Sequence, residues 1–304
     1  MKPKKYLITV VGPTAIGKTA LAIQLAQHFQ TEIISADSRQ FFKEMRIGTA
    51  VPSQDELKAA PHHFIQHKSI HEAYTVGQFE KEALELLDRL FQRHQVLILV
   101  GGSGLYVDAV LNGLNHFPKV PATVREEVRR LYKEKGLSEI QAQLLQLDPA
   151  SEDSVDMLNP QRVLRALEVC MATEQPFSSF KNKPKAERPF TAIQIGLQAE
   201  RSVIYDRINK RVDLMVEEGL EAEARALHPH RKLNALVTVG YRELFAYFDG
   251  VYNFAKAIEE IKKNTRRFAK RQLTWYRKNE QIHWFPFQTP LAAVLEHIQK
   301  KMSR

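Results

Sequence analysis

The 304-residue sequence predicts an α/β protein in which a parallel sheet is flanked by helices and interrupted by a helical insertion domain. Three observations carry this reading. The apolar run Tyr6 to Val11 leads into Gly12-Pro-Thr-Ala-Ile-Gly-Lys-Thr19, and apolar positions Ala22, Leu25, Ala26 and Phe29 follow at the spacing of one helix face, giving strand, turn and helix in succession. Val96-Leu-Ile-Leu-Val100 is apolar throughout, as a central parallel strand covered on both faces must be. Between polar, proline-bearing stretches, the middle of the chain has a helical pattern. The segment from 12 to 19 matches GxxxxGK[ST], which makes the predicted fold class P-loop NTPase-like: its glycines let the backbone curl until N–H groups and the helix N-terminus surround a phosphate. Gly12, Pro13, Thr14, Ala15, Ile16, Gly17, Lys18 and Thr19 are the expected diphosphate cradle, with Lys18 across phosphate oxygens and Thr19 on Mg2+.

Taken in order, Glu32-Ile-Ile-Ser35 is a short second strand, and Asp37-Ser-Arg-Gln40 follows where it ends. Ligands of open parallel sheets bind outside the carboxyl ends of the strands, which places Asp37 near the phosphate loop. Gly48-Thr-Ala-Val-Pro52 and Pro61-His-His63 have loop composition. Adjacent histidines cannot share one helix face, and no Cys or His-x-x-x-His spacing accompanies them, so His62 and His63 are read as loop residues and not metal ligands. A helix is expected from about Val76 to Arg93. The strand at 96–100 runs into Gly101-Gly-Ser-Gly-Leu-Tyr106. A P-loop ATPase commonly has an Asp at that strand end to help hold Mg2+, and Gly101 in its place weakens the hydrolase reading. The glycines admit a close approach of backbone to ligand, and Ser103 offers a hydroxyl donor to an anion.

Composition changes near His116-Phe-Pro-Lys-Val-Pro121 and again from Lys181 to Pro189. The expected domains are therefore residues 1–116, the first part of the core; 117–189, a helical insertion; and 190–304, which complete the core and add basic C-terminal helices. In the insertion, Arg162 and Arg165 stand three apart on one helix face, a spacing equally compatible with a solvated basic stripe. Thr191 to Leu197 returns to strand character, and Arg201 to Leu227 reads as helix. Its apolar face is Ile204, Ile208, Val212 and Met215, while Arg207 and Arg211, four apart on another face, form a pair able to clamp a diphosphate. From Phe254 to Lys278 the cations Lys256, Lys262, Lys263, Arg266, Arg267, Lys270, Arg271, Arg277 and Lys278 alternate with Phe268, Trp275 and Tyr276. Such a mixture suits a nucleic-acid backbone and exposed bases. An ordinary amphipathic helix accounts for Ile258, Ile261, Thr265 and Phe268, but not for so many cations against Glu259 and Glu260.

A chain with 44% hydrophobic and 26% charged residues is an ordinary globular one, and its net charge of +9 favours an anionic partner. The single cysteine, Cys170, excludes an internal disulfide framework and a Cys-rich zinc site, and fits a reducing compartment. No leader-like h-region precedes the first strand and no run approaches the ~18 apolar residues of a membrane span, so a cytoplasmic protein with no membrane partner is expected.

At this point the sequence resembles the tRNA dimethylallyltransferases, the isopentenyltransferase family of P-loop proteins that modifies the adenosine next to the anticodon. The carriers are the segments at 12–19, 37–40, 48–52 and 101–106, Gln161 to Arg165 with the following Ala-Leu-Glu, Arg207-Ile-Asn-Lys-Arg211, and Thr265 to Trp275. Their order and joint presence cover nearly the whole chain. The resemblance implies transfer of a dimethylallyl group from its diphosphate to the exocyclic amine of an extruded adenine. Asp37 is then the proton acceptor, and Lys18, Ser103, Arg211 and Mg2+ on Thr19 stabilise the departing diphosphate. It further implies that Ser38 and Gln40 hold the base, and that Asp37, Arg39, Ser103, Arg125, Gln161, Arg162, Val163, Leu164, Arg165, Lys270 and Arg271 belong to the surface meeting the tRNA anticodon stem-loop. A monomer is expected. Two positions depart from the family pattern: Ser103 stands where Thr is commoner, keeping the hydroxyl, and Val51 stands where Lys is frequent, removing one basic contact. The competing reading is a P-loop small-molecule kinase using ATP, against which Gly101 argues.

Overall fold

The computed structural model describes residues 4–115, 117–181 and 186–303; His116 and residues 182–185, which fall in the two expected boundary stretches, lie outside the described residues. Six strands, β1 (Tyr6–Val11), β2 (Ile33–Ser35), β3 (His62–His63), β4 (Val96–Val100), β5 (Thr191–Gln198) and β6 (His283–Pro286), form one sheet in the order β3-β2-β4-β1-β5-β6. Every pairing is parallel. The central strands β1 and β4 are buried along their whole length, which explains their unbroken apolar runs. Side chains alternate between two cores: Leu7, Val11, Leu97 and Leu99 enter one, and Tyr6, Ile8, Val10, Val96, Ile98 and Val100 enter the other.

His62 and His63 are not loop residues. They make the edge strand β3, in register with Ile33 and Ile34 of β2. Two residues carry no periodicity, and the pairing that creates the strand is non-local, so loop composition misled. Each imidazole has a local partner: His62 Nδ1 lies 2.8 Å from Ala60 O, and His63 Nε2 lies 2.6 Å from Glu32 Oε2.

In the unit carrying the sheet, the helices are α1 (Lys18–His28), α2 (Gln54–Ala59), α3 (Val76–Leu90) and α4 (Gly104–Asn112). The insertion contains α5 (Ala122–Leu147), α6 (Ser151–Ser154) and α7 (Pro160–Thr173). The chain then forms α8 (Arg201–Glu217), α9 (Leu220–Leu227), α10 (Tyr241–Phe248), α11 (Phe254–Tyr276) and α12 (Leu291–Met302). α3 starts under a capping box in which the Thr75 hydroxyl accepts from Gln78 N and Gln78 Oε1 accepts from Thr75 N, satisfying two otherwise orphaned amides. The single helix expected from 201 to 227 is two, divided at Gly219. α1, α12 and the first half of α8 cover one face of the sheet, and α3, α4 and α10 the other. No helix among the described residues is long and apolar enough to cross a membrane.

The chain divides into two compact units, Met1–Asn112 with Glu187–Arg304, and Gly113–Ala186. The first unit resumes ahead of β5 because Arg188 is tied to it. Its guanidinium donates to Val110 O, Ala109 O and Glu80 Oε1 at 2.8 to 2.9 Å. The second unit has its own core, built from Val128, Ile140, Leu144, Val163, Leu167 and Cys170. Its buried Asp148 receives hydrogen bonds from Ser151 Oγ, Ser178 N and Ser178 Oγ. Burial alone would raise the carboxyl pKa, but these donors outweigh it and hold it below the usual range.

Candidate active site

The phosphate loop has the conformation its glycines allow. Gly12 has φ +143°, and a Cβ there would lie 2.7 Å from Leu197 O, so no other residue fits against β5. Side chains from distant elements fix the loop. Arg207 Nε donates to Ala15 O at 2.7 Å, Thr14 N donates to Gln272 Oε1 at 2.8 Å, and Arg211 Nη1 lies 3.4 Å from Thr14 Oγ1. Lys18 Nζ donates to Pro13 O at 2.8 Å. The two arginines expected to act as a pair therefore do different work: Arg207 holds backbone and stacks on Phe287, while Arg211 faces an open cleft.

That cleft, of about 500 Å³, lies beyond the carboxyl ends of β2 and β4 and is lined by Thr14, Asp37, Ser38, Ser103, Arg211 and Arg271 among others. Ser38 N donates to Ser103 Oγ at 3.0 Å, and Ser103 Oγ donates to Ser38 Oγ at 3.1 Å, joining the two strand-end loops. Asp37 Oδ1 accepts from Arg39 N at 3.1 Å, which leaves its second oxygen without a hydrogen bond among the described residues. Arg39 also lines the cleft, its Nη1 donating to Asn234 O and Ala235 O. Gln40 does not line it. Its amide donates to Thr49 O and Ala50 O, and its carbonyl accepts from Ser35 Oγ, so it carries the wall formed by residues 48–50. The glycine at 101 has a steric cause: a Cβ would lie 2.3 Å from Ala36 O, leaving no room for the side chain an ATPase would project there.

The site is cationic and partly desolvated. Burial lowers the Lys18 pKa to about 8, with Asp37 opposing the drop and Arg211 adding to it. Burial also pulls Arg211 below its ordinary value against the attraction of Asp37. Asp37 is thus the anionic counterweight to two cations whose charges need an anion to face.

The basic segment of α11 is divided by its ion pairs. Lys256, Lys262 and Lys263 are matched with Glu259, Glu260 and Asp213, whereas among the described residues no carboxylate pairs with Lys270, Arg271, Arg277 or Lys278. Phe268 and Trp275, 38% and 39% exposed, line the cleft on either side of Arg271, whose guanidinium is 5.8 Å from the Phe268 ring. Lys270 points elsewhere, into a second pocket with Arg201 and Arg277. Tyr276, expected among the base-facing aromatics, is buried and donates to Gly101 O, because its position returns to the core face of the helix.

In the second unit, Arg125 and Gln161 are exposed, Arg162 pairs with Asp156 at 3.3 Å and Arg165 with Glu168 at 3.5 Å. The Arg162 pair is exposed and weak enough to be exchanged for a phosphate, whereas Arg165 is half-buried against a buried Glu168. Val163 is a correction. It is fully buried in the core of that unit, so its side chain cannot meet RNA, and Leu164 is half-buried.

Two residues that sequence reasoning passed over shape the cleft. Glu223 of α9 accepts from Arg46 N, Ile47 N, Gly48 N and the Tyr241 hydroxyl, which pins the wall that Gln40 holds from the other side. An acidic residue on an amphipathic helix gives no sequence signal for this. Gln272 bridges Thr14 N and Gly102 O. It does leave a signal: a polar residue eleven positions after Ile261, on the stripe that otherwise buries apolar side chains.

The sequence model of the IPP transferase family matches residues 40–279. The chain is 57% identical over 298 residues to the tRNA dimethylallyltransferase of Christiangramia forsetii, covering 98% of this chain and 99% of that one. It is 46% identical to tRNA dimethylallyltransferase 1 of Bacteroides fragilis, over 92% and 93% of the two chains. Among solved structures it is similar to the full-length tRNA isopentenylpyrophosphate transferase of Bacillus halodurans, with TM-score 0.74, 35% identity and coverage of 99% and 97%. It is also similar to a eukaryotic dimethylallyltransferase acting on tRNA, with TM-score 0.80, 25% identity and coverage of 98% and 77%.

Proposed function

The chain belongs to the IPP transferase family, and from that premise we propose that it transfers a dimethylallyl group from dimethylallyl diphosphate to the exocyclic amine of the adenosine 3′ of the anticodon in tRNA. The carrying observation is that Asp37, Ser103, Arg211 and Thr14 of the phosphate loop line one cleft, while Gly101 leaves no place for an ATPase carboxylate. The amine nitrogen attacks the first carbon of the allyl group, the carbon–oxygen bond to diphosphate breaks with both electrons leaving on oxygen, and the amine proton passes to Asp37. Lys18, Arg211 and Ser103 donate to the charge that builds on the departing group. The adenine leaves the anticodon-loop stack to reach the cleft, at a cost of a few kcal/mol that is smaller in a loop than in a duplex. Ser38 lies where it can touch the base, and Gln40 acts through the wall it supports.

The residues fit a magnesium ion carried in by the substrate. Thr19, at the start of α1, would hold the ion through its hydroxyl, a hard oxygen donor of the kind magnesium takes. Bound there, the ion would neutralise charge on the diphosphate. We further propose that the protein acts as a monomer in the cytoplasm, the reducing compartment that its single cysteine suits.

Mass spectrometry of nucleosides, after tRNA is incubated with the protein and dimethylallyl diphosphate, tests the reaction. Calorimetry tests the rival kinase: ATP binding more tightly than dimethylallyl diphosphate, with release of its terminal phosphate, would restore it.

The lowered Lys18 pKa gives the donor a pH-dependent affinity. The trianion binds the ammonium form, so affinity is full below about 8 and weakens as pH rises, by up to ~10-fold per unit until the pKa of the complex is reached. Titrations in two buffers of different ionisation enthalpy at pH 8.5 should show proton uptake on binding, and Lys18→Ala should abolish it.

If the unpaired cations of α11 and the arginines of the second unit contact phosphates, each alanine variant of Arg162, Arg165, Lys270 and Arg271 weakens tRNA binding. Each also reduces the salt slope by ~0.7 to 0.9. Arg211→Ala should do the reverse, weakening use of the prenyl donor while tRNA affinity stays near normal. A full salt slope in Lys270→Ala would identify that residue as part of a solvated face.

A further inference from the structure

The structure assigns Gln272 a role as a positioning residue that holds the phosphate loop and the 101–104 loop at the separation needed for Lys18 and Ser103 to act on one departing group. Gln272 is 6% exposed, in the middle of the basic helix α11. Its Oε1 accepts from Thr14 N at 2.8 Å and its Nε2 donates to Gly102 O at 2.9 Å. The Thr14 N–H belongs to the same peptide unit as Pro13 O, which accepts from Lys18 Nζ at 2.8 Å. One peptide plane is therefore held at both ends, by Gln272 on its N–H and by Lys18 on its carbonyl. At the other end of the amide, Gly102 precedes Ser103, whose hydroxyl is bonded to Ser38. A Cβ on Gly102 would lie 2.4 Å from Gln272 Nε2 and 3.8 Å from Lys18 Nζ, which puts the amide and the ammonium side by side across that glycine.

A general packing role does not require this chemistry. A buried amide that satisfies one donor and one acceptor on two different loops fixes both in distance and direction, and only Gln has that pair of groups at that reach. Its neighbours Arg271 and Trp275 line the cleft from the same helix, so a load placed on α11 by a polyanion at the cleft mouth is passed to the phosphate loop through this amide.

The assignment rests on the proposed reaction, and its test is built to fail separately from it. Gln272→Ala removes both bonds, and turnover should fall ~10- to 100-fold, the cost of misplacing reacting groups by about an ångström. The KM for tRNA should stay within about threefold, because no phosphate contact is lost. Gln272→Met keeps the side-chain volume and loses both hydrogen bonds. It should lower turnover and weaken dimethylallyl diphosphate binding as Gln272→Ala does, whereas a packing role predicts that methionine restores both. Turnover of Gln272→Ala within twofold of wild type overturns the assignment. So does recovery of turnover in Gln272→Met, or a loss that appears only with a lowered melting temperature and is matched in tRNA binding. If the wild-type protein itself transfers no prenyl group, the proposed reaction fails, and the dimethylallyl diphosphate affinity of the Gln272→Ala and Gln272→Met variants still decides the role of Gln272.

Discussion

Replacing Asp37 with alanine should lower turnover at least ~100-fold, the usual lower worth of a positioned base, while the protein folds and binds tRNA normally. The side chain is half-exposed in the cleft and its one hydrogen bond is to Arg39 N, so little structure depends on it. Asp37→Asn separates charge from shape. The amide oxygen can still accept from Arg39 N, but it cannot take the amine proton, so the variant should be as impaired as alanine. Electrostatics gives a second readout with a definite sign. Asp37 opposes the burial that lowers Lys18, so its removal lowers the Lys18 pKa further and moves the loss of diphosphate affinity to lower pH. An Asp37→Asn enzyme within tenfold of wild type would show that the proton leaves by another route.

Gly101→Ala should be nearly as damaging for a steric reason. The new Cβ would sit 2.3 Å from Ala36 O and 2.6 Å from Ala36 C, both backbone atoms, where the ends of β2 and β4 are hydrogen-bonded through Ala36 N and Val100 O at 2.7 Å. Relief requires the strand ends to part by about an ångström, an overpacking strain of ~1–3 kcal/mol. The strain falls between the two loops that carry Asp37 and Ser103, so turnover should drop ~100-fold and the melting temperature should fall with it. Gly77→Ala in α3 is the control: nothing lies within 4 Å of its Cβ, and a helical Ala is favoured over Gly by up to ~1 kcal/mol. A Gly101→Ala protein as stable and active as wild type would mean that the strand ends yield freely.

The phosphate loop was legible because its signal is local: two glycines, a lysine and a threonine at fixed spacing between a strand and a helix. The paired apolar faces of β1 and β4 were legible as runs, and the placement of Asp37 followed from the rule that parallel sheets bind at their carboxyl ends. The two-residue strand β3 was not, since a strand that short exists only through its partner. The sequence also could not divide the cations of α11. Lys262 is neutralised by Asp213 from α8, and Arg271 meets the cleft while its neighbour Lys270 turns into another pocket.

By itself, then, the sequence determined which groups this protein carries for its chemistry: a GxxxxGK[ST] loop, a carboxylate at the end of the second strand, no carboxylate at 101, and a surplus of positive charge. Those properties reside in residue types and short spacings, which the chain carries whether folded or not. Only the tertiary structure decided which side chains act at a distance. Gln272 reaches Thr14 across 258 positions of chain, and Glu223 reaches Gly48 across 175. A buried polar group must find its partner wherever the fold provides one, and that partner has no fixed spacing in sequence.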